Sequence, residues 1–341
     1  MEKIKIGVLC PSEIAFRRFM PALKKLGNFE YTGLAAATER EFSQADSDDL
    51  VASELEKASK FADTYGGKVF HGYESLIRSD EIDAVYIPLP PGLHFRWAKA
   101  ALEAGKHVLL EKPFTVKLQD TETLIELARS KNLAVHENYM FAFHSQIDWI
   151  KQKLAEGAVG DIRIIRIDFG FPFRGTNDFR YDSRLGGGAL YDCGGYTLKL
   201  AQMFLGETAR ITTSQLNCKD GFDVDIFGSA TLVNDDGLTA QVSFGMDNDY
   251  RCSLDVWGSK GTLSTGRILT APEGFEPSVK IRIANEEQMF TLAPDDTFRK
   301  SIAHFGECIE SEGDRFLNYK AIFRQSELVE QFVKRSRYDD E

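Results

Sequence analysis

Apolar positions run through this chain in two rhythms. In the first half, short apolar runs at Ile4–Leu9, Glu30–Ala36, Lys68–Phe70, Ala84–Leu89, His107–Leu110 and Leu133–Glu137 read as buried strands. Between them the spacing turns helical, at Glu13–Leu26, around Leu50–Tyr65, at Tyr73–Ile77 and around Leu124, Ile125 and Ala128. One further segment puts Leu93, Trp97, Ala101 and Ala104 on a single face. Strands alternating with helices predict an α/β fold, a Rossmann-like doubly wound parallel sheet. From Asp161 the period changes to two: Ile162, Ile164, Ile167, Phe169 and Phe171 punctuate one long strand. Ile211–Asn217, Val224–Val233, Leu238–Met246, Cys252–Trp257, Thr262–Thr265 and Val279–Ala284 read likewise, with Asp236-Gly237 as a hairpin signal. The second half is therefore expected to be an α+β domain on a large, mostly antiparallel sheet. One face is covered by helices, including Gly188 to Leu205, and the other is open. Helices at Phe298–Glu310 and Tyr319–Lys334 end the chain, and the expected division is 1–140 and 141–341.

Length and charge narrow the function classes. At 341 residues the chain is long for one core, so two domains are the natural expectation. The net charge of -11 argues against nucleic acid and against an anionic membrane surface. No run approaches eighteen apolar residues, and Met1 to Lys5 leads into a strand rather than a signal-peptide core; a cytoplasmic protein is expected. The five cysteines, Cys10, Cys193, Cys218, Cys252 and Cys308, are scattered without a C-x-x-C pair, so no disulfide framework or structural zinc is indicated. His94, His136 and His144 lack a metal-ligand spacing, and no metal is expected. An open sheet face commonly becomes an interface between copies, which points to a homodimer or homotetramer.

Candidate chemistry gathers where strands end, because open α/β sheets bind ligands at the carboxyl ends of their strands. There Glu111-Lys112-Pro113 follows the His107 strand, and Pro113 biases Lys112 toward extended backbone. A surface lysine beginning a loop is the alternative. In the first βα turn, Cys10, Ser12 and Ala15 stand at the three glycine positions of a G-x-G-x-x-G/A fingerprint. Ser12 is placed to cap the following helix, whose N–H groups and dipole favour a phosphate. Pro11 predicts a loop with φ below zero throughout, and a tight connection with no ligand stays open. After the second strand, Thr38 and Arg40 are placed to hold a ribose 2′-phosphate, with Glu39 opposing it; this leans to NADP, with NAD the alternative. Glu39 to Glu56 reads as an acidic, solvated surface excursion.

Two stretches of the second half are costly for structure alone. Gly186-Gly187-Gly188 enter a helix and Gly194-Gly195 lie inside it, at about 0.5–1 kcal/mol each. Close approach of a ligand or another backbone would explain that cost. Asp192 and Tyr196, four apart, share a face; tight helix packing with a Tyr–Asp hydrogen bond is the competing reading. Glu137 to His144 is the other stretch, where the chain leaves the first domain; a lone histidine such as His144 is more often structural.

Taken together, Glu111-Lys112-Pro113, the Gly186-Gly187-Gly188-Ala189-Leu190…Asp192-x-Gly194 segment and the domain order resemble the Gfo/Idh/MocA family of NAD(P)-dependent oxidoreductases, over essentially the whole chain. Ile14 to Arg18, Glu137 to Phe141, His144-Ser145, Gly194-Gly195-Tyr196 and Phe244-Gly245-Met246 resemble one branch, the NADPH-dependent 3-ketoreductases of dTDP-linked deoxysugars. That branch normally keeps a glycine where this chain has Cys10. The resemblance implies hydride transfer between nicotinamide and a sugar carbonyl, with Tyr196 as general acid and Lys112 as its electrostatic partner. It implies substrate contacts at Asn138, Asp192, Arg180 and His144, with Arg174 and Arg184 as further candidates for a diphosphate. Cofactor contacts are expected from Cys10, Ser12, Glu13, Ile14, Thr38, Arg40, Leu89, Pro90, His94, Glu111 and Lys112. A dehydrogenase of free sugars or trans-dihydrodiols is the alternative within enzymes. A non-catalytic dinucleotide sensor is the alternative outside them, favoured by the altered glycine loop.

Overall fold

The computed structural model describes residues 2–41 and 47–338. The chain divides into two compact units, residues 1–138 with 298–323, and residues 139–297 with 324–341.

In the first unit, β1 (Ile4–Leu9) leads through a π turn (Ala15–Phe19) into α1 (Met20–Leu23) and returns as β2 (Phe29–Ala36). Then follow α2 (Ser47–Tyr65), β3 (Lys68–His71), α3 (Tyr73–Ile77), β4 (Ala84–Ile87), α4 (His94–Glu103), β5 (His107–Leu110), α5 (Leu118–Ser130) and β6 (Val135–Glu137). All pair in parallel in the order β3-β2-β1-β4-β5-β6, the expected doubly wound sheet. β1, β4 and β5 bury nearly every side chain, as strands covered on both faces must. On α4 the apolar stripe Trp97, Ala98, Ala101 and Leu102 is buried, which fixes its face.

The expected acidic excursion takes helical form: residues 47–56 begin α2, and residues 49–56 are exposed or half-buried, with the buried Ala58 and Phe61 following them. Residues 42–46, with Asp46, lie outside the described ones.

The second unit holds α6 (Ser145–Ala155), β7 (Ile162–Gly170), a π turn (Leu190–Gly194) continuing into α7 (Gly195–Leu205), and β8 (Arg210–Cys218). After these come β9 (Asp225–Val233), β10 (Thr239–Gly245), β11 (Arg251–Gly258), β12 (Gly261–Gly266), β13 (Ser278–Ile283) and β14 (Glu286–Thr291). The sheet runs β14-β13-β12-β11-β7-β10-β9-β8, antiparallel except for the β7–β10 pair. One face buries Ile165, Ile167, Phe169, Leu232, Val242, Phe244, Leu254 and Val256 with Leu198 and Leu200 of α7. The other exposes Arg166, Gln215, Ser229, Gln241 and Ser243, with Phe227 and Trp257 also in solvent. β14 went unread in the sequence because its positions are nearly all exposed, leaving no inward-outward alternation.

The end of the chain departs from the expected division at residue 140. In α8 (Thr297–Glu310) and α9 (Glu312–Tyr338), residues 298–323 belong to the first unit and residues from 324 onward to the second. Tyr319 and Ile322 join the apolar core of the first unit, and Arg315, Asn318 and Tyr319 donate to the carbonyls of Asn132, Val135 and Leu133 beside β6. Leu328, Val329 and Phe332 join the core of the second. Amphipathic periodicity announces a helix but not which core receives it.

Candidate active site

The strand order reverses between β1 and β4, and that switch point opens the crevice where α/β sheets hold ligands. Cys10 follows β1, Thr38 follows β2, Leu89 and Pro90 follow β4, Glu111 and Lys112 follow β5, and Asn138 follows β6. The cofactor candidates thus all stand on one end of one sheet.

Cys10 takes φ +80, the left-handed backbone that glycine adopts without strain. The expectation of a loop confined to negative φ is therefore corrected: Pro11 restrains itself, and Cys10 makes the turn. Its thiol packs on the apolar cluster of the unit, and burial pushes its pKa up. Ser12 Oγ accepts from the Ala15 amide at 3.2 Å, capping the helical stretch 13–23. Glu13 is exposed and pairs with Arg17 at 3.1 Å. A glycine-like turn followed by a capped helix start fits a dinucleotide phosphate. The feature that favoured a non-catalytic sensor, the altered loop, loses its force.

Around Lys112 the polar groups are densely connected. The Lys112–Pro113 peptide is cis, and the half-buried Lys112 stands beside Glu111. Glu111 Oε1 accepts from the Tyr86 hydroxyl and the Asn138 amide, each at 2.6 Å. Burial raises the Glu111 pKa, while these two donors and the Lys112 charge pull it down. Asn138 Oδ1 in turn accepts from Ser301 Oγ at 2.8 Å, and Ser301 meets His136 Nε2 at 2.9 Å. Asn138 was expected to hold sugar hydroxyls. At 1% exposure, with both ends of its amide engaged, it instead anchors Glu111. His94 is fully buried, Nδ1 at 2.8 Å from the Pro113 carbonyl and Nε2 at 2.7 Å from the Leu89 carbonyl. Two simultaneous donations would need a charged ring, but burial, aided by the Lys112 charge, pushes the pKa down to about 4. Burial wins, and the ring, neutral at pH 7, donates to one of these carbonyls and lies against the other, so its contacts are with backbone.

In the second unit, Tyr196 sits on the first turn of α7, 8% exposed. Its ring packs against Tyr139, Phe169 and Phe141, with centroids 5.1, 5.4 and 5.5 Å away. Gly188, at φ +123, passes so close to Asp225 that a β-carbon would lie 2.5 Å from its carboxylate, and that carboxylate accepts from the Leu190 amide at 2.7 Å. At Gly195 a β-carbon would collide with the Tyr139 hydroxyl. The glycine run is thus explained by the protein's own groups, and at Gly187 by the Arg180 carbonyl, 2.5 Å from where a β-carbon would lie, which is the backbone approach the sequence left open. Asp192 accepts from Arg180 Nε at 2.7 Å, and Arg180 also bonds Asp178 at 3.0 Å. Burial works against the Arg180 charge, but the two carboxylates outweigh it and raise its pKa. Asp192 is thus part of an ion triad with Arg180 and Asp178. Arg184 pairs with Asp182 at 2.7 Å, and Arg174 lies over the Phe171 ring. His144 is 1% exposed and caps α6, its Nδ1 accepting from the Gln146 amide at 3.1 Å.

Three residues with clear work went unread. Asp225 caps the helix that carries Tyr196, without a sequence signal. Ser301 reaches Asn138 from 163 residues away in the chain. Glu41, not Glu39, is the carboxylate at Thr38: it accepts from the Thr38 amide at 2.8 Å and the Thr38 hydroxyl at 2.6 Å. That one was readable, because Thr38-Glu39-Arg40-Glu41 has the T-x-x-E spacing of a capping box.

Residues 26–139 match an oxidoreductase family with an NAD-binding Rossmann fold, GFO_IDH_MocA, and residues 147–264 match the GFO/IDH/MocA C-terminal domain. The chain is 36% identical to a dTDP-3,4-didehydro-2,6-dideoxy-alpha-D-glucose 3-reductase of Actinomadura kijaniata, over 90% of this chain and 88% of that one. It is 31% identical to D-xylose 1-dehydrogenase (NADP(+)) 2 of Haloferax volcanii, over 75% and 78%. The solved structure of KijD10, a 3-ketoreductase from A. kijaniata in complex with NADP and TDP-benzene, superposes with a TM-score of 0.90 at 34% identity, covering 98% of both chains. KijD10 has also been solved with a tyrosine changed to phenylalanine and with a lysine changed to alanine, positions 84 residues apart, the separation of Lys112 from Tyr196. The chain belongs to the Gfo/Idh/MocA oxidoreductase family.

Proposed function

We propose that this family member transfers a hydride between NADP(H) and the carbonyl of a nucleotide-linked keto-sugar, running as a 3-ketoreductase. The observation that carries the reading is that a lysine at the end of β5 and a tyrosine on α7 stand at the sequence separation of the two positions changed in KijD10, in a fold that matches that enzyme over 98% of its length. Bound nicotinamide supplies the hydride. Cys10, Ser12 and the helix start behind them, with Thr38 and Arg40, are the residues that would hold the dinucleotide; Glu111 is held rigid beside Lys112 by Tyr86 and Asn138. As hydride arrives, negative charge grows on the carbonyl oxygen, and Tyr196 Oη delivers the proton that quenches it. The Lys112 ammonium stabilises the developing tyrosinate or alkoxide. Asp192, held by Arg180 Nε at 2.7 Å, accepts from sugar hydroxyls.

A second reading, a dehydrogenase of free sugars, is favoured by the similarity to the D-xylose enzyme. Following nicotinamide absorbance with dTDP-linked 3-keto-hexoses, xylose, glucose and trans-dihydrodiols separates the two. Turnover on free sugars, with none on the nucleotide-linked ketone, would overturn the first reading. The five cysteines are unpaired, as suits a reducing compartment, and the cytoplasm is the proposed location. Among the described residues no helix is long and apolar enough to cross a membrane. The exposed sheet face with Phe227 and Trp257 is the proposed contact between copies, and sedimentation of Trp257→Arg against the parent tests it.

A further inference from the structure

We propose that Glu41 governs how readily this chain accepts a phosphate on the adenosine ribose 2′-oxygen, because its carboxylate already occupies the donors that phosphate would use. The proposal rests on the reading that the first unit binds a nicotinamide dinucleotide. Just past the carboxyl end of β2, a cleft of about 630 Å³ is lined by Thr38, Arg40, Glu41, His71, Arg78 and Arg96, among others. Ribose 2′-substituents are read at this end of the second strand. Glu41 Oε2 takes both the amide and the hydroxyl of Thr38, and Oε1 accepts from the Tyr73 amide at 3.1 Å. The Glu41 amide donates back to the Thr38 carbonyl at 3.0 Å, so the turn delivers the carboxylate to this spot. Gly72 passes alongside, its missing β-carbon leaving 3.5 Å to Glu41 Oε1.

The charge of the cleft is evenly set. Arg40, Arg78 and Arg96 line it, and so do Glu39, Glu41 and Glu74. Glu74 lies 4.0 Å from Arg78, and Arg96 stacks 4.5 Å above the Trp97 ring. Among the described lining residues there are three charges of each sign, so one carboxylate shifts the balance. A 2′-phosphate entering here meets like charge and finds the Thr38 donors taken. A 2′-hydroxyl meets an acceptor with a lone pair to spare on Oε1. Glu41 therefore favours the unphosphorylated ribose, while the arginines favour the phosphorylated one, and the chain accepts both cofactors unless Glu41 is displaced.

Calorimetric titration of the full chain with 2′,5′-ADP and with 5′-ADP tests this without any turnover. Glu41→Gln keeps the side-chain shape and removes the charge. It is expected to tighten 2′,5′-ADP about tenfold, or about 1.4 kcal/mol, with 5′-ADP unchanged or weaker. Glu41→Ala should move the same way, and Arg96→Ala the opposite way. Thermal melts of each variant report whether the turn itself has failed. Equal discrimination between the two nucleotides in parent and variants overturns the proposal while leaving dinucleotide binding intact. A parallel weakening of both nucleotides also overturns it, since Glu41 would then only hold the turn. A parent that binds neither nucleotide sinks this proposal together with the cofactor reading it rests on.

Discussion

The two helix starts of this protein use glycine in opposite ways. The turn after β1 has no glycine at its sharpest residue, yet Cys10 adopts φ +80 there and sends its thiol into the core. The start of the helix bearing Asp192 and Tyr196 is crowded with glycine, and Gly188 and Gly195 are needed because Asp225 and the Tyr139 hydroxyl occupy the space of a side chain. A glycine fingerprint is read as a sign of ligand approach, but the quantity that matters is what a β-carbon would meet. In the first case it meets a core that accepts it. In the second it meets the protein's own polar groups, and their closeness holds the helix still. The loop thus carries its turn on a side chain, and the helix is locked by its own neighbours.

Replacing the proton donor should give the largest effect. Tyr196→Phe is expected to lower kcat by about 10²–10⁴ while leaving NADP affinity within a few-fold, and Lys112→Ala should do comparable damage. Stopped-flow and steady-state assays with matched cofactor titrations measure both. A Tyr196→Phe enzyme at parental kcat would overturn the role of Tyr196 as proton donor.

Next is the crowding at α7. Gly195→Ala drives a methyl into the Tyr139 hydroxyl and should cost about 1–3 kcal/mol, seen as a lower denaturation midpoint with unchanged m-value. An unchanged midpoint would mean the glycines are not there for packing. At the loop, Cys10→Gly should leave NADP affinity within about threefold, since glycine adopts the same φ freely. Cys10→Val places a β-branched residue in left-handed backbone, at about 1–3 kcal/mol. Equal stability of the two loop variants would show that the left-handed turn does not constrain residue 10.

A further effect is in pH. His107, on the strand that leads to Lys112, accepts the Ala134 amide at Nδ1 at 2.8 Å, a bond only the unprotonated nitrogen can make. Burial, with Arg315 nearby, lowers its pKa from 6.5 to about 4. Between those values the unfolded chain holds a proton that the folded chain does not, so stability falls as pH drops from about 6.5 toward 4. The slope from this one group is about 1 kcal/mol per pH unit. His107→Gln should flatten that part of the curve, read from urea midpoints at pH 7, 6, 5 and 4, with no matching change at α7.

Much of the architecture was legible because it follows from periodicity. Continuous apolar runs between helical segments read as buried parallel strands, and period-two alternation as a half-covered sheet, so the strands of both sheets other than β14, and the place of Lys112 at a strand end, were legible locally. The Asp192–Tyr196 pair was legible as positions sharing a face. Tertiary structure alone decided the partners. Asn138 turned from a substrate contact into the anchor of Glu111 because Ser301, far along the chain, comes to its other side. Asp192 found Arg180, His94 found two carbonyls, and the helix from Glu312 to Tyr338 divided itself between two cores. Hydrogen-bond partners and β-carbon clearances are relations between distant residues, and a one-dimensional pattern carries the periodicity of a segment without the identity of what it will face.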